Sequence, residues 1–471
     1  MLKDLKWYGL FLLLALVFIW LTGFNGLYGQ DSYEYLRYTK CLSTFVKTGT
    51  NPGDYFWPLL YPIVGAIFSF VFPLPFALQL VSVLSLLGAA IYLEKIITLI
   101  FNAEKNWARL YVFLFFLLSP YMLRGSLVIM SDSLSIFCVV AAWYYFERYR
   151  RVVENRFFLA FVFFFAAAIA ARYAAFVVLT TPAIIMSVIF FRNFKVSLLL
   201  LSICIVTLLF FPHFLIRSHD PLSFLYHEWV LSWSPLNFFH NRFNTLDGIA
   251  SYSFYNMLYA FFNILHPAFY FAGIVFLIIC LAIKNQIKDK KMGALIIAIS
   301  VYAIFLAGIP FQNMRFLLLS FPLVLIALFP GYNVTHSYLI KKKFLKYGIG
   351  LVLVIQLGLF YKLFGSFYNN NKTEKQVATE MLKYPATVYT FSIDGALKAY
   401  GFKGNVINMY NVKVDTLKNA DTNAYVLFNV KQFAEQWKNK NPMINWEYLN
   451  KKHVLIQQEE MPDGWALYRV R

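Results

Sequence analysis

The chain is poor in charge. Only 14% of its 471 residues are charged and 60% are hydrophobic, whereas soluble domains are about a quarter charged. That shortage excludes an ordinary soluble enzyme. Cysteine is scarce too: Cys41, Cys138, Cys204 and Cys280 are the whole set. Three of them lie inside apolar segments with no paired spacing, so neither a disulfide framework nor a zinc site is supported. No Walker loop, GxGxxG unit or GxSxG elbow occurs, which removes support for nucleotide hydrolysis and serine hydrolysis. HExxH and HxxxH spacings are missing, so "SHDP" (218–221) and "HEW" (227–229) read as loop residues at a wet interface rather than metal ligands. A ten-residue alternating period is absent, which argues against an outer-membrane barrel. No internal repeat or inverted pair of broken helices is visible, which counts against a secondary transporter.

What the chain has in abundance is long apolar stretches, such as "FLLLALVFIWLTGF" and "SLLLLSICIVTLLFF". They indicate a polytopic α-helical membrane protein. The net charge is +19, but the basic residues fall in short runs between apolar segments: "ERYRRVVENR" (147–156), "RNFK" (192–195), "KNQIKDKK" (284–291) and "KKKFLK" (341–346). That is the pattern of cytoplasmic loops, so nucleic acid is rejected as a partner and membrane lipids are expected. At the N-terminus, Lys3 and Lys6 precede an apolar run from about Trp7 to Phe24, too long for a signal-peptide core, and "FNGLYGQ" is a poor cleavage site. The expectation is an uncleaved first transmembrane helix with its N-terminus in the cytoplasm.

Parity then tests the topology. Four apolar stretches (58–72, 75–97, 108–124 and 134–147) lie between the first helix and the basic cluster at 147–156. If all four crossed, that cluster would face outward, so one must not cross. The segment "PLLYPIVGAIFSFVF" (58–72) is the best choice: its fifteen residues reach about 22 Å as a helix, short of a hydrocarbon core of about 30 Å. It is expected to lie at the outer interface. Further spans are expected at 157–172, 173–191, 197–212, 267–283, 293–309, 314–330 and 347–364, about eleven in all, with the C-terminus outside. Residues 1–364 would form the transmembrane domain and 365–471 a small external α/β domain. In that tail "ATVYTFSI", "AYVLFNV", "HVLIQQ" and "WALYRV" have strand character, with helical patterns near 373–383 and 430–439.

The candidate residues sit at expected external helix ends. Asp31 opens a helix whose Tyr35, Tyr38, Leu42 and Phe45 share one face while Glu34, Arg37 and Lys40 share another, an interfacial amphipathic helix. Asp31 is either an N-cap or a carboxylate able to take a proton from an incoming hydroxyl, and the two roles are compatible. Asp132 lies in "SDS" (131–133), before the helix at 134–147, where a cap is the plainer reading. Two carboxylates at one face could position an acceptor or a divalent cation; no metal ligand set is assigned. Arg124, Arg172, His213, Arg217 and Arg315 also fall at external helix ends, each suited to snorkelling. Arg315, preceded by Gln312-Asn313, is placed best to take a phosphate. The loop histidines His219, His227, His240 and His266 carry no ligand spacing.

The order "QDSYEYLRY", "WPLLYPIVGAIF", "SPYMLRGSLVIMSDSL", "AAIAARYAAF" and "QNMRFLLLSFPLVL" resembles the GT-C superfamily of integral-membrane glycosyltransferases. The similar branch is that of protein O-mannosyltransferases and aminoarabinose lipid A transferases, family 39. The resemblance covers about residues 1–330. It implies a sugar donor carried on a polyprenyl phosphate, a lipid, glycan or protein acceptor, and transfer with inversion at the anomeric carbon. It implies that Asp31 is the catalytic base or acceptor-positioning residue and that Asp132 is the second-loop acid. It also implies that Arg315 binds donor phosphate. Glu34, Tyr35, Arg124, Arg172 and Arg217 are further substrate-binding candidates by their places near external helix ends. It departs from the pattern at Ser32, where many members have Glu after the Asp, and at Trp57, where members acting on lipid A commonly have Lys; lipid A specificity and metal coordination are therefore not implied. The competing classes are a lipid or solute transporter, a glycan ligase of another membrane class, and a membrane scaffold. Composition suggests a bacterial inner membrane.

Overall fold

The computed structural model describes residues 6–216, 228–283, 290–414, 417 and 423–471. The chain divides into two compact units. The helical unit comprises Met1–Gly26, Tyr38–Phe239 and Phe254–Phe364, and the sheet unit Leu27–Arg37, His240–Ser253 and Gly365–Arg471.

The chain begins α1 (Lys6–Thr22), α2 (Gly29–Thr48), α3 (Leu60–Phe68), α4 (Leu74–Phe101), α5 (Lys105–Val112, prolonged by a π-helical turn at Phe113–Leu117), α6 (Pro120–Leu127), α7 (Asp132–Arg151), α8 (Asn155–Ala171), α9 (Ala175–Arg192) and α10 (Val196–Ile216). Short elements follow: α11 (Glu228–Leu231), a hairpin of β1 (Arg242–Thr245) and β2 (Gly248–Ser251), α12 (Asn256–Tyr259), α13 (Phe262–Leu265) and α14 (Pro267–Tyr270). Then come α15 (Gly273–Ala282), α16 (Lys290–Gly308), α17 (Met314–Leu317), α18 (Phe321–Lys341) and α19 (Leu345–Met381). The tail continues with β3 (Val388–Thr390), α20 (Asp394–Ala399), β4 (Val406–Asn408), β5 (Tyr425–Phe428), α21 (Val430–Phe433), α22 (Asn441–Lys452), β6 (Leu455–Glu460) and β7 (Ala466–Val470).

This is a multi-pass membrane protein by the number and apolarity of its helices. Among the described residues, five helices are long and apolar enough to cross a membrane, and a sixth if the bent pair formed by 105–117 and 120–127 is one span. Four more apolar helices have 10–17 residues. Helices thus stand at each place where one of the eleven spans was expected, while length and composition alone qualify five or six. The expected single helix at 108–124 is instead broken, with a bend of 68°. Pro120 causes this: it has no N–H to continue the ladder, and it opens α6 as a first-turn residue. The segment 58–72 forms the nine-residue α3, cut off by Pro73 ahead of α4. Tyr61 of α3 is fully buried and hydrogen-bonds the Leu78 carbonyl of α4 at 2.9 Å.

Within the helical unit α7 packs between α4 and α8. Small side chains allow close approach: Ala166, Ala167, Ala168, Ala170 and Ala171 of α8 are buried, and Ser135 of α7 donates to the Ala168 carbonyl at 3.2 Å. Arg172 takes an extended conformation (φ −160°) and separates α8 from α9, as the sequence division at that residue anticipates.

The sheet unit holds five strands in the order β4-β3-β5-β7-β6. β3 runs parallel to β4 and β5, while β7 is antiparallel to both β5 and β6. Its core takes Val388, Val426, Leu427, Phe428, Leu467 and Val470, and Trp446 of α22 stacks on Phe428 at 5.2 Å. The four strands read from sequence are β3, β5, β6 and β7. β4 was missed because three half-buried residues carry no alternation. The β1–β2 hairpin also belongs to this unit, tied to it by the Ile249 N–H donating to the Gln436 carbonyl at 2.6 Å.

Candidate active site

In the helical unit the stems of the first and second loops meet at one buried amide. Gln79 of α4 is 1% exposed, and its Nε2 donates to the carbonyls of Phe24 at 3.1 Å and Leu127 at 2.9 Å. The Ile129 N–H closes the junction by donating to the Gly26 carbonyl at 2.8 Å. Gly26 has φ +79°, and a Cβ there would stand 2.6 Å from Gln79 Cγ, so only glycine fits. Sequence reasoning missed Gln79. Its only signal was an amide inside an apolar span, where a polar group needs internal partners.

Three residues beyond Ile129 the chain enters α7 at Asp132, which is 2% exposed. Ser131 occupies the cap position and makes no side-chain capping bond. Asp132 is the first helical residue, and both of its oxygens are engaged elsewhere. Oδ1 pairs with the Arg172 guanidinium. Oδ2 accepts from Arg315 Nε at 3.1 Å. Arg172 also lies over the Phe316 ring, 5.4 Å from its centroid. Arg315 sits in α17, whose cap is Asn313: its Oδ1 accepts from the Arg315 N–H at 3.0 Å. The strap carrying Arg315 is held on either side, by Tyr302 donating to the Phe316 carbonyl at 2.8 Å and by the Asn313 N–H donating to Tyr259 Oη at 2.9 Å.

Three helix ends, those of α7, α8 and α17, therefore converge where one carboxylate meets two guanidiniums. The arginine side chains keep 13% and 22% exposure against 3% for the carboxylate, so the open edge of the cluster is cationic. The planar, forked guanidiniums suit a phosphate, which accepts through two of its oxygens.

The remaining candidates are placed as follows. Arg124 of α6 is buried with its guanidinium 4.8 Å over the Tyr121 ring. His213 is buried near the end of α10, edge-on to Tyr173 at 6.0 Å. His266 caps α14, its Nδ1 accepting from the Ala268 N–H at 3.1 Å. Arg217, His219, Asp220 and His227 lie outside the described residues. Among the described residues no group of three or more His, Cys, Asp or Glu side chains is placed to hold a metal ion. Beside α2, α3 and α10 lies a cavity of about 1130 Å³, lined by Leu42, Phe45, Val46, Ile63, Ile67, Phe70 and Leu215, with Asn51 and Asp54 among its few polar neighbours. Its lining suits a hydrocarbon chain.

In the sheet unit, Asp31 is the third residue of α2 and partly exposed. It is therefore inside the first turn, favourable to the helix dipole, rather than at the cap position. The turn is closed by Ser32, whose Oγ accepts from the Tyr28 N–H at 2.6 Å and donates to the Gly29 carbonyl at 3.0 Å. Glu34 pairs with the Arg37 Nε at 2.7 Å on an exposed face. Tyr35 is 4% exposed. The amphipathic reading of α2 fits through Leu42, whereas Phe45 is 42% exposed.

No protein-family profile and no curated protein matches the chain. Its fold does match solved structures. ArnT from Cupriavidus metallidurans bound to undecaprenyl phosphate superposes with a TM-score of 0.68 at 11% identity, covering 98% of each chain. Archaeal oligosaccharyltransferase AglB from Archaeoglobus fulgidus, in complex with an inhibitory peptide and a dolichol-phosphate, superposes at 0.52 with 13% identity, covering 94% of this chain and 71% of that one. This chain shares the fold of both structures.

Proposed function

From that fold and from the Asp132–Arg172–Arg315 cluster, we propose that the protein transfers a sugar from a polyprenyl-phosphate donor to an acceptor hydroxyl. The site faces outward from the cytoplasmic membrane, with the N-terminus in the cytoplasm and the sheet unit outside. The basic runs on the opposite loops support that orientation.

The observation that carries the reading is the meeting of Arg172 and Arg315 at the Asp132 carboxylate, with the two guanidiniums on the more exposed side of the cluster. Arg172 and Arg315 bind the phosphate of the donor and stabilise the charge that builds on it as the C1–O bond breaks. Asp132 keeps the two guanidiniums in register; with both oxygens engaged it acts on the arginines, not on the acceptor. Asp31, partly exposed in its turn, is assigned to take the acceptor proton as the hydroxyl oxygen attacks C1. The new C1–O bond forms with inversion, polyprenyl phosphate departs as the dianion, and the proton passes from Asp31 to water. The glycosyl phosphate is already activated, so no nucleotide is required. The apolar cavity beside α2, α3 and α10 holds a prenyl or acyl chain. Two neighbours carrying polyprenyl-type phosphates support the donor class.

The test uses the full chain in lipid nanodiscs with a panel of polyprenyl-phosphate sugars and candidate lipid, glycan and peptide acceptors, reading released polyprenyl phosphate by mass spectrometry. The wild type is expected to release it, Asp31→Asn to bind donor without release, and Arg315→Ala to lose donor binding. Equal release by the wild type and both variants would sink the assignment.

A further inference from the structure

The turn that carries Asp31 is fastened from the tail of the chain. Within the sheet unit, Asn371 Nδ2 donates to the Leu27 carbonyl at 2.8 Å, and Phe367 stacks on Tyr28 at 3.7 Å. One helical turn beyond Asn371 on α19, Glu374 takes two donors from either side of Asp31. Tyr33 Oη donates to its Oε2 at 2.7 Å, and the Gly29 N–H donates to the same carboxyl. α20 backs the turn: a Cβ on Gly395 would stand 2.8 Å from Tyr33 Cβ, and Tyr400 meets the Tyr33 ring edge-on at 6.5 Å.

We propose that Glu374 is the positioning residue of the Asp31 turn, gripping Gly29 and Tyr33 so that the first turn of α2 presents Asp31 in one orientation. This rests on the reading of Asp31 as proton acceptor.

The chemistry of the grip explains why a carboxyl stands here. A carboxylate offers an oxygen to each donor, whereas a glutamine offers one oxygen and a competing NH₂. The charge has a desolvation cost. Burial pushes the Glu374 carboxyl up to about 7, against the hydrogen bonds from Tyr33 and Gly29, which pull it down. Burial, followed by Glu374 and Tyr400, raises the Tyr33 hydroxyl well above its usual range, so it stays a donor. The charged groups nearest in sequence on these elements are Asp31, Glu34 and Arg37 on α2, Lys372 and Lys375 on α19, and Asp394 and Lys398 on α20. Asp463 accepts from Thr373, next to Glu374. Ionised Glu374 holds both donors; the protonated form loosens one. The grip therefore tightens as pH rises through about 7. Its contribution to global stability runs the other way: a carboxyl raised in the folded state favours folding below its unfolded value, and that contribution is lost as pH rises through the folded value.

Hydrogen exchange on the full chain in nanodiscs, with transfer kinetics beside it, separates the two readings. Glu374→Ala and Glu374→Gln should raise exchange at residues 28–33 on the order of tenfold, the loss of one charge-assisted hydrogen bond, with the rest of the chain unchanged. The same variants should lower kcat about tenfold with donor KM unchanged and flatten the rise in rate near pH 7; Glu374→Asp should recover part of both. Unchanged exchange at 28–33 would overturn the grip itself. Raised exchange with unaltered kcat would keep the grip and overturn the role of Asp31. Raised exchange in a protein whose wild type transfers no sugar would overturn the enzymatic reading alone.

Discussion

Two buried acid–arginine clusters in the helical unit can be set side by side. In one, Glu94 of α4 meets Arg109 of α5 through two hydrogen bonds, at 3.0 and 3.2 Å, and Tyr8 of α1 donates to the same carboxylate at 2.5 Å. Both charged side chains are nearly sealed, at 6% and 7% exposure. One charge answers one charge, and a phenol completes the shell. In the other, a single carboxylate faces two guanidiniums, and the arginines remain partly open. The first cluster is closed in charge and geometry, so its role is to join α1, α4 and α5. The second brings two guanidiniums to one carboxylate and leaves them partly exposed, the arrangement proposed above for an anionic substrate. Burial alone does not separate the two clusters; access does.

That contrast can be broken first at the closed cluster. Glu94→Ala removes the carboxylate that the buried Arg109 guanidinium pairs with and should cost about 3–5 kcal/mol of stability, read as an early melt in detergent, with donor affinity unaltered in whatever fraction stays folded. A normal melting curve would show that the pair is not structural. At the open cluster the order reverses. Arg315→Ala should leave the melt close to wild type yet lower kcat/KM by about 10²–10³-fold, the scale of one lost charge-stabilising donor. A collapse in stability would place Arg315 with Arg109. Arg315→Lys keeps the charge but loses the planar fork, so recovery should fall short by about tenfold, checked by donor titration. Gly26→Ala probes the junction that sets the approach to both loops. The left-handed backbone and the Gln79 contact should cost about 1–3 kcal/mol, measured by denaturation. Smallest of all, Glu34→Ala removes an exposed pair with Arg37 and should shift stability by about 0.5 kcal/mol or less, so any loss of transfer in that variant reports substrate contact.

Much of the helical unit was legible in one dimension. Hydropathy is a local property, so the apolar runs mark where helices lie, although α18 and α19 run on to Lys341 and Met381, past the expected ends at 330 and 364; Pro73 marks a break because proline cannot continue the ladder, and Arg172 because a charge divides two apolar runs. Pro120 was read through, since a single proline either kinks a span or restarts it, and the outcome depends on what receives the freed groups. Here Ser119 Oγ donates to the Phe269 carbonyl at 2.9 Å and anchors the bend. The hairpin at 242–251 was read as loop, because four-residue strands hold too little alternation to be seen and gain their place from the sheet unit. Asp31, Asp132, Arg172 and Arg315 were all nominated from their positions at helix ends, and the last three meet. The junction amide Gln79 and the carboxyl of Glu374 were not, because nothing in their own neighbourhoods shows that they reach backbone groups far along the chain.

The sequence by itself determined that this chain crosses a membrane many times, where its helices run, and which ionisable residues stand at their ends, because those properties follow from local polarity and from proline and glycine. Only the tertiary structure decided which of those residues belong together. Asp132 and Arg315 are 183 positions apart and meet because α7 and α17 end at the same place. An ion pair acts over a few ångströms, and no local pattern records which helix ends packing will bring within that range.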